Sequence, residues 1–362
     1  MKTSFTKALW LLSIVSSAQS QSLLDAISNF TQLSNFTTLL RNNPGLAGAL
    51  LTSNASSLTT KSTVLVPDNS AFTKLSVLYN VSMGNLSVER LEPYLQYHLL
   101  VGTVLSQNLS APEGITVPTF LTGPTFNNRS AGESLGSTGA DGDVHNGQVV
   151  FLQAKNSGTT ASGKTRFDVR QLQNPTVNAQ GGLGHQINLT ALDHPWDGGY
   201  FQIVDKFLSL PLNCTESIRR WNMTKFRSSL NRTGLGAPLD ITQNVTCFTP
   251  NDQAFLRAGD PQVTANITDL ERLVKFHTVV EPLYSNFLRD GQTFTTFSNE
   301  TIRITIRGAD IFVNDAKIIN KNVISEHNID RNPNRHIYKI HRPPGFSFRD
   351  LISSTNVNNL KH

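Results

Sequence analysis

Apolar residues at positions 23, 24, 27, 30, 33, 36, 39 and 40 recur at the spacing of one helix face. Asn42-Asn43-Pro44-Gly45 closes that helix with residues that break it. A short apolar strand is predicted at Thr63 to Val66, then a turn at Pro67-Asp68-Asn69-Ser70, then Ala71-Phe72 opening a helix. Leu86 to Leu100 reads as helix, with Leu91, Tyr94, Leu95, His98 and Leu99 on one side. Stretches 123–147 and 156–164 are rich in Gly, Ser, Asn or Thr and read as loops around a strand at Gln148 to Gln153. Further on, helices are predicted at Cys214 to Leu230 and Ile267 to Val279. Strands are predicted from Val245, at Thr301–Ile306, Asp310–Val313, Lys317–Ile319 and His336–Ile340.

The pattern occurs twice. Thr63-Val64-Leu65-Val66-Pro67-Asp68-Asn69-Ser70-Ala71-Phe72 returns in altered form as Val245-Thr246-Cys247-Phe248-Thr249-Pro250-Asn251-Asp252-Gln253-Ala254-Phe255. Tyr94 to Val101, carrying Tyr97-His98, returns as Leu273 to Val280, carrying Phe276-His277. Two matched segments in one order mean a duplicated domain. In each box the proline ends a strand by removing a ladder donor. Asp68 or Asn69 suits the backbone amides that follow. Phe72 and Phe255 read as core plugs, each worth about 1.5–3 kcal/mol of burial.

The N-terminus changes the picture. Lys2 and Lys7 precede an apolar run from Ala8 to Val15, and Ala18 and Ser20 suit cleavage, so residues 1–20 read as a secretory signal peptide. Fourteen Asn-x-Ser/Thr acceptors follow, at Asn29, Asn35, Asn54, Asn80, Asn85, Asn108, Asn128, Asn188, Asn213, Asn222, Asn231, Asn244, Asn266 and Asn299. Chance would supply about six, and the motif has meaning only in the secretory route. No later stretch reaches the apolar length of a spanning helix, and the polar end of the chain has no hydrophobic tail for a lipid anchor. The expected organisation is 21–210 and 211–342 as two domains joined at Leu210-Pro211-Leu212, with 343–362 as a polar tail.

Charge is uneven. Residues 21–210 hold 10 Lys+Arg against 12 Asp+Glu, and residues 211–362 hold 19 against 14. The second half favours anionic glycans or an acidic matrix if its cations gather, and is an ordinary solvated face if they scatter. Nucleic acid is a poor partner, because no aromatic-basic interleaving occurs.

Cys214 and Cys247 are the only cysteines. Export permits a disulfide, which would close a loop of about 33 residues and stabilise by roughly 3–4 kcal/mol in the chain-entropy reckoning. Cys247 is read against Leu65 of the first box and also suits a plain buried thiol. Pairing is the expectation. A zinc site is excluded, since two cysteines without paired histidines cannot fill four positions.

These boxes resemble the fasciclin domain family, extracellular adhesion modules. The form Thr-Val-x-x-Pro-x-Asp/Asn-x-Ala-Phe matches 63–72 and 245–255, and the Tyr-His motif matches Tyr97-His98. A closing box matches Gly199 to Leu208, including Asp205, and returns more weakly at Asn334 to Ile340. The likeness covers about 21–342. It implies an α+β fold twice over, each a β-sandwich or wedge with packed helices. It also implies a secreted, non-catalytic glycoprotein that binds extracellular protein or glycan at a cell wall or matrix. The motif residues it points to are Pro67, Asp68, Phe72, Tyr97, His98, Asp205, Pro250, Asp252, Phe255 and His277. Within it, 123–165 and 178–199 read as expanded loops of the first domain.

Nothing in the chain has the spacing of a nucleophile elbow, a zinc-protease helix or a phosphate loop. Asp141 to Gly147 is a poor calcium loop, with His145 at a ligand position and Leu152 where a bidentate Glu is required. Asp193-His194-Pro195-Trp196-Asp197 is the densest polar-aromatic cluster; its Trp either covers the core or stacks on a sugar. His98 and His277 read as core histidines donating to backbone carbonyls. No cofactor is expected. The alternatives kept open are a secreted polysaccharide-active enzyme and a carrier of a small apolar ligand.

Overall fold

Strand β1 (Ser62–Pro67) is buried at every residue, which requires cover on both faces. The computed structural model of the chain supplies that cover with helices on one side and the rest of a seven-stranded sheet on the other. It describes residues 21–46, 48, 61–79, 82–122, 135, 147–155, 176–242, 245–325 and 335–341. The signal segment, the tail, residues 141–146 and the acceptors Asn54, Asn80, Asn128 and Asn244 lie outside them.

In the first domain, helices α1 (Leu23–Ser28), α2 (Ser34–Asn42), α3 (Asn69–Tyr79) and α4 (Val88–His98) accompany seven strands. After β1 these are β2 (Leu99–Leu100), β3 (Ile115–Pro118), β4 (Val149–Lys155), β5 (Thr176–Gln180), β6 (Gln186–Trp196) and β7 (Gly199–Val204). In the second domain, α5 (Cys214–Arg220), α6 (Thr224–Thr233), α7 (Gly236–Ile241), α8 (Asp252–Arg257), α9 (Pro261–Thr264) and α10 (Ile267–Phe276) accompany β8 (Val245–Pro250), β9 (Thr278–Val279), β10 (Thr293–Thr295), β11 (Thr301–Arg307), β12 (Asp310–Val313), β13 (Ala316–Ser325) and β14 (Arg335–His341).

The strand orders are β2-β1-β7-β6-β5-β4-β3 and β9-β8-β14-β13-β12-β11-β10, one plan used twice. In each, the box strand pairs parallel with the last strand (β1 with β7, β8 with β14) and antiparallel with the short strand after the His helix. The fold is α+β, as the resemblance implies. Alternation along the box strand divides each core: Val64 and Val66 meet the helices while Leu65 faces the opposite layer, where β3 to β6 contribute. Cys247 meets the helices and Phe248 the other layer. Cys247 therefore matches Val64, and the equivalence with Leu65 is off by one residue; a one-residue slip exchanges the faces of a strand.

Three other expectations are corrected. The run 23–40 is broken at Asn29-Phe30, where Phe30 turns extended and packs edge-on against Phe201 and His194. The helix predicted at 214–230 is two, because Asn222 adopts left-handed backbone with φ 51°. The supposed expanded loop at 178–199 carries the end of β5 and all of the long β6, central strands of the sheet. Trp196 sits in β6, partly buried against the helix-side core, and donates its Nε1–H to the Tyr200 carbonyl at 3.3 Å.

The domains are joined by more than their linker. Leu183 N–H donates to the Ile324 carbonyl at 3.1 Å, and Trp221 Nε1–H donates to the Leu183 carbonyl at 3.0 Å. The Gln180 amide donates to the carbonyls of Lys321 and Asn322 at 3.0 and 3.1 Å, and Thr116 donates its hydroxyl to Asn286 at 2.6 Å. Val149, Tyr284 and Ile324 form a shared buried cluster. At Gly182 a Cβ would stand 2.3 Å from the Leu210 carbonyl, so only glycine lets the linker lie this close.

Candidate functional site

The polar side chains of the repeated boxes are committed to scaffold. Asp68 caps α3, its Oδ1 accepting from Ala71 N–H at 2.9 Å. Asn69 reaches back instead, accepting from Asn35 N–H at 3.0 Å at the start of α2. In the second copy Asn251 is the cap, accepting from Ala254 N–H at 2.8 Å. Asp252 grips the start of α6, accepting from Lys225 N–H at 3.0 Å and from the Thr224 hydroxyl. Asp252 is thus the partner of Asn69 rather than of Asp68. One polar residue holds its own helix and the next holds the preceding one. The threonines that open the boxes were missed by sequence reasoning. The Thr63 hydroxyl donates to Gly102 and accepts from Val104 N–H; the Thr246 hydroxyl donates to Glu281 and accepts from Leu283 N–H. Their equal place before the box apolars was the available signal.

Tyr97 is fully buried and donates to the Val149 carbonyl at 3.0 Å, tying α4 to β4. Phe276, in its place in the second domain, is buried without needing that partner. His98 is 1% exposed. Its Nε2 accepts from Leu208 N–H at 3.1 Å, so Nδ1 carries the proton and donates to the Tyr94 carbonyl at 2.7 Å. Burial pushes its pKa down to about 4. His277 repeats the contact, with Nδ1 2.7 Å from the Leu273 carbonyl. Neither ring reaches solvent as a general base must. Asp205 closes the first domain by accepting from Asn188 N–H at 2.7 Å, from its amide at 2.9 Å and from Lys74 at 3.2 Å. Those bonds hold its carboxyl below the usual range against the opposing pull of burial. Pro67 and Pro250 end their strands. Phe255 is 2% exposed, whereas Phe72 is only partly buried: it packs edge-on to Phe207 at 5.0 Å and lines a surface cavity of about 370 Å³. Phe72 is therefore not the full plug its partner is.

Cys214 and Cys247 are buried in one cluster with their Sγ atoms 4.0 Å apart. A disulfide needs about 2.05 Å, a gap that side-chain rotation and a small backbone shift can close. Linked thiols are expected in protein recovered from an oxidising compartment. Peptide mapping without reduction should find the crosslinked pair, and two readily alkylated thiols in that material would reject it.

No group of three or more His, Cys, Asp or Glu side chains suited to a metal occurs among the described residues. Two sizeable concavities among the described residues lie at the domain junction. One, of about 830 Å³, is walled by β4 to β6 on one side and β11 to β13 on the other, with Trp221, Arg289 and Lys321 on its lining. The other, of about 720 Å³, runs along the linker and includes Tyr94, Lys206 and Arg220. Gln186 lines both. These residues come from segments more than a hundred positions apart, and no local motif marks them. They are the candidate binding surface.

A profile of the fasciclin domain matches residues 31–211 and again 221–329. A fasciclin-like arabinogalactan protein, CTB11 of Cercospora beticola, is 30% identical over 151 residues, which is 41% of this chain and 40% of that protein. Another, elcF of Phaeosphaeria nodorum, is 25% identical over 218 residues, 60% of this chain and 58% of its own. The matched stretches thus span from about two fifths to under two thirds of these relatives. A solved fasciclin domain pair from the insect adhesion molecule fasciclin I is a remote likeness: 16% identity, TM-score 0.37, covering 88% of this chain and 98% of that one. None of these matches is to a catalytic family. With both of its copies matched by the profile, the chain belongs to the fasciclin domain family.

Proposed function

We propose that this protein is a secreted glycoprotein that attaches to extracellular polymer, cell wall or matrix, through a broad surface and without catalysis. The observation that carries the reading is the division of labour among its polar residues. The signature side chains are bound into the scaffold, while eight of the ten described glycan acceptors are exposed: Asn29, Asn35, Asn85, Asn108, Asn222, Asn231, Asn266 and Asn299. Those positions stand at the surface, where a sugar can extend into solvent. No helix among the described residues is long and apolar enough to cross a membrane. The test is a pull-down of glycosylated protein on isolated wall or matrix material. Retention by a saturable component supports the reading; recovery of the native protein inside the cell at bare polypeptide mass would reject it.

The acceptors make a sharper prediction. Asn188 lies in β6, paired with Asn178 of β5, and its amide is committed to the Asp205 carboxylate. A glycan there would break the anchor at the end of β7. Glycopeptide mapping should find Asn188 unmodified while Asn35, Asn85 and Asn231 are occupied. A sugar on Asn188 in folded protein would refute that placement.

A second reading, carriage of a small apolar ligand, draws on the 830 Å³ junction cavity and its Trp221, Leu288, Ile306 and Ile311 lining. Its volume falls within the range of about 300–1,000 Å³ common for ligand sites.

A further inference from the structure

We propose that the two junction cavities form one groove for a linear acidic polysaccharide, a polymer whose sugar rings carry carboxylates. This rests on the reading of the protein as one that attaches to extracellular polymer, and names the chemistry of that polymer. The first observation is continuity: both cavities are lined by Gln186, one by Trp221 and the other by the neighbouring Arg220, so the groove crosses the boundary between domains.

The second is the state of its cations. Several described cations outside the groove are matched to carboxylates: Lys225 with Asp260, Lys275 with Glu271, Arg272 with Glu300 and Lys317 with Asp310. In the groove, Lys74 and Arg220 are likewise held by Asp205 and Glu216. Three cations cluster on its lining with backbone carbonyls as their described partners: Lys206, Arg289 and Lys321. Lys206 reaches only the Gln186 carbonyl at 3.4 Å, Lys321 only the Ala309 carbonyl at 3.2 Å, and Arg289 the carbonyls of Asn286 and Leu288 at 2.9 and 3.0 Å. None forms an ion pair with a described carboxylate, and among the described residues Glu113 is the one acid on the groove lining. Lys321 is half-buried, and desolvation lowers its pKa against the opposing pull of the Asp310 charge; an incoming anion relieves more of that cost.

The third is what lies between the cations. Trp221 lines one cavity and Tyr94 the other, and aromatic faces receive the C–H face of a sugar ring. The Gln186 amide supplies hydrogen bonding to hydroxyls, and Gln153, whose Nε2–H donates to the Pro112 carbonyl at 2.6 Å, offers its amide oxygen. Cations, aromatic rings and amides on one lining fit a uronate chain, which repeats a carboxylate and an apolar ring face along its length. A neutral glucan leaves the three cations without anions.

The experiment uses the full glycosylated protein and a galacturonic acid oligomer of about ten residues, with its fully methyl-esterified form as the uncharged control. Calorimetric titration should show binding of the acid form, weakened by salt because exposed charges are screened, and at least tenfold weaker binding of the ester. Combining Lys206→Ala, Arg289→Ala and Lys321→Ala should weaken the acid form by about 10- to 100-fold, as the sum of three partly exposed ion pairs. Arg227→Ala, away from the groove, should leave binding unchanged, and thermal melts of both variants check folding. Equal binding of acid and ester, or wild-type binding by the folded triple variant, overturns the proposal. If wall material is retained but neither oligomer binds, the groove assignment falls and the attachment reading stands; if neither wall nor oligomer binds, both fall. Tight uptake of an apolar fluorescent dye at the junction, undisturbed by the acid oligomer, would give the groove to the carrier reading instead.

Discussion

Phe255→Ala should destabilise the second domain by about 3–5 kcal/mol, the cost of emptying a buried aromatic site. Phe72→Ala should cost the first domain roughly half as much. The two residues hold the same place in the repeated box, so only their surroundings differ. Phe255 is 2% exposed among Phe226, Leu273 and the two cysteine side chains of the same cluster, and the adjoining cavity is a mere 10 Å³ or so. Tight packing leaves little freedom to collapse around the missing ring. Phe72 already borders an open cavity, so water takes over part of the vacated surface. Chemical denaturation of each variant, read against the wild type, measures the pair. A change below the ~0.5 kcal/mol of ordinary surface substitutions at Phe255 would remove it from the core. Equal losses at the two sites would contradict the difference in burial.

The contrast shows what the sequence made legible. The duplicated box, the helix before it and the Tyr-His helix after it stand out because proline, apolar periodicity and turn residues act locally. Their exact equivalence was harder. Aligning the boxes from Thr63 and Val245 pairs Cys247 with Leu65, and matching on the acidic residue pairs Asp68 with Asp252, while alternation along the strand and the helix contacts pair Asp68 with Asn251 and Cys247 with Val64. Strands β5 and β6 were hidden for a different reason. Asn178, Gln180, Gln186, Asn188 and Asp193 read as loop residues, yet three of them are satisfied by distant partners: Gln180 by backbone 141 and 142 positions away, Asn188 by Asp205, and Asp193 by Ser106 N–H at 2.9 Å. Long-range pairing overrides local propensity here. The junction groove was invisible for the same reason, since its walls come together only when two sheets dock.

His98 links this scaffold to acidity, with an expected loss of first-domain stability of about 3 kcal/mol between pH 6.5 and 4. The fold needs the neutral ring, because Nε2 accepts from Leu208 N–H while Nδ1–H donates to Tyr94. Its folded pKa is about 4, below the ordinary 6.5. The unfolded chain therefore binds a proton as pH falls through 6.5, and the folded chain does not until about 4. Protons thus favour the unfolded state across that window, and the stabilisation is fully present only above 6.5. His185 and His194 are shifted in the same direction by burial and add to the slope. Asp205 and Glu216, whose pKa values are lowered, lose their contributions only in stronger acid. His98→Gln should therefore lower stability at neutral pH and flatten the pH dependence between 6.5 and 4 by up to one proton, or ~1.4 kcal/mol per pH unit. Denaturant titrations of both proteins at half-unit steps give that slope directly. An unchanged slope would mean the ring already titrates normally in the folded protein. Because His98 is sealed from solvent, the proposed attachment to wall material should be the same for the folded variant as for the wild type, and a selective loss of binding at unchanged stability would place the histidine in the binding surface.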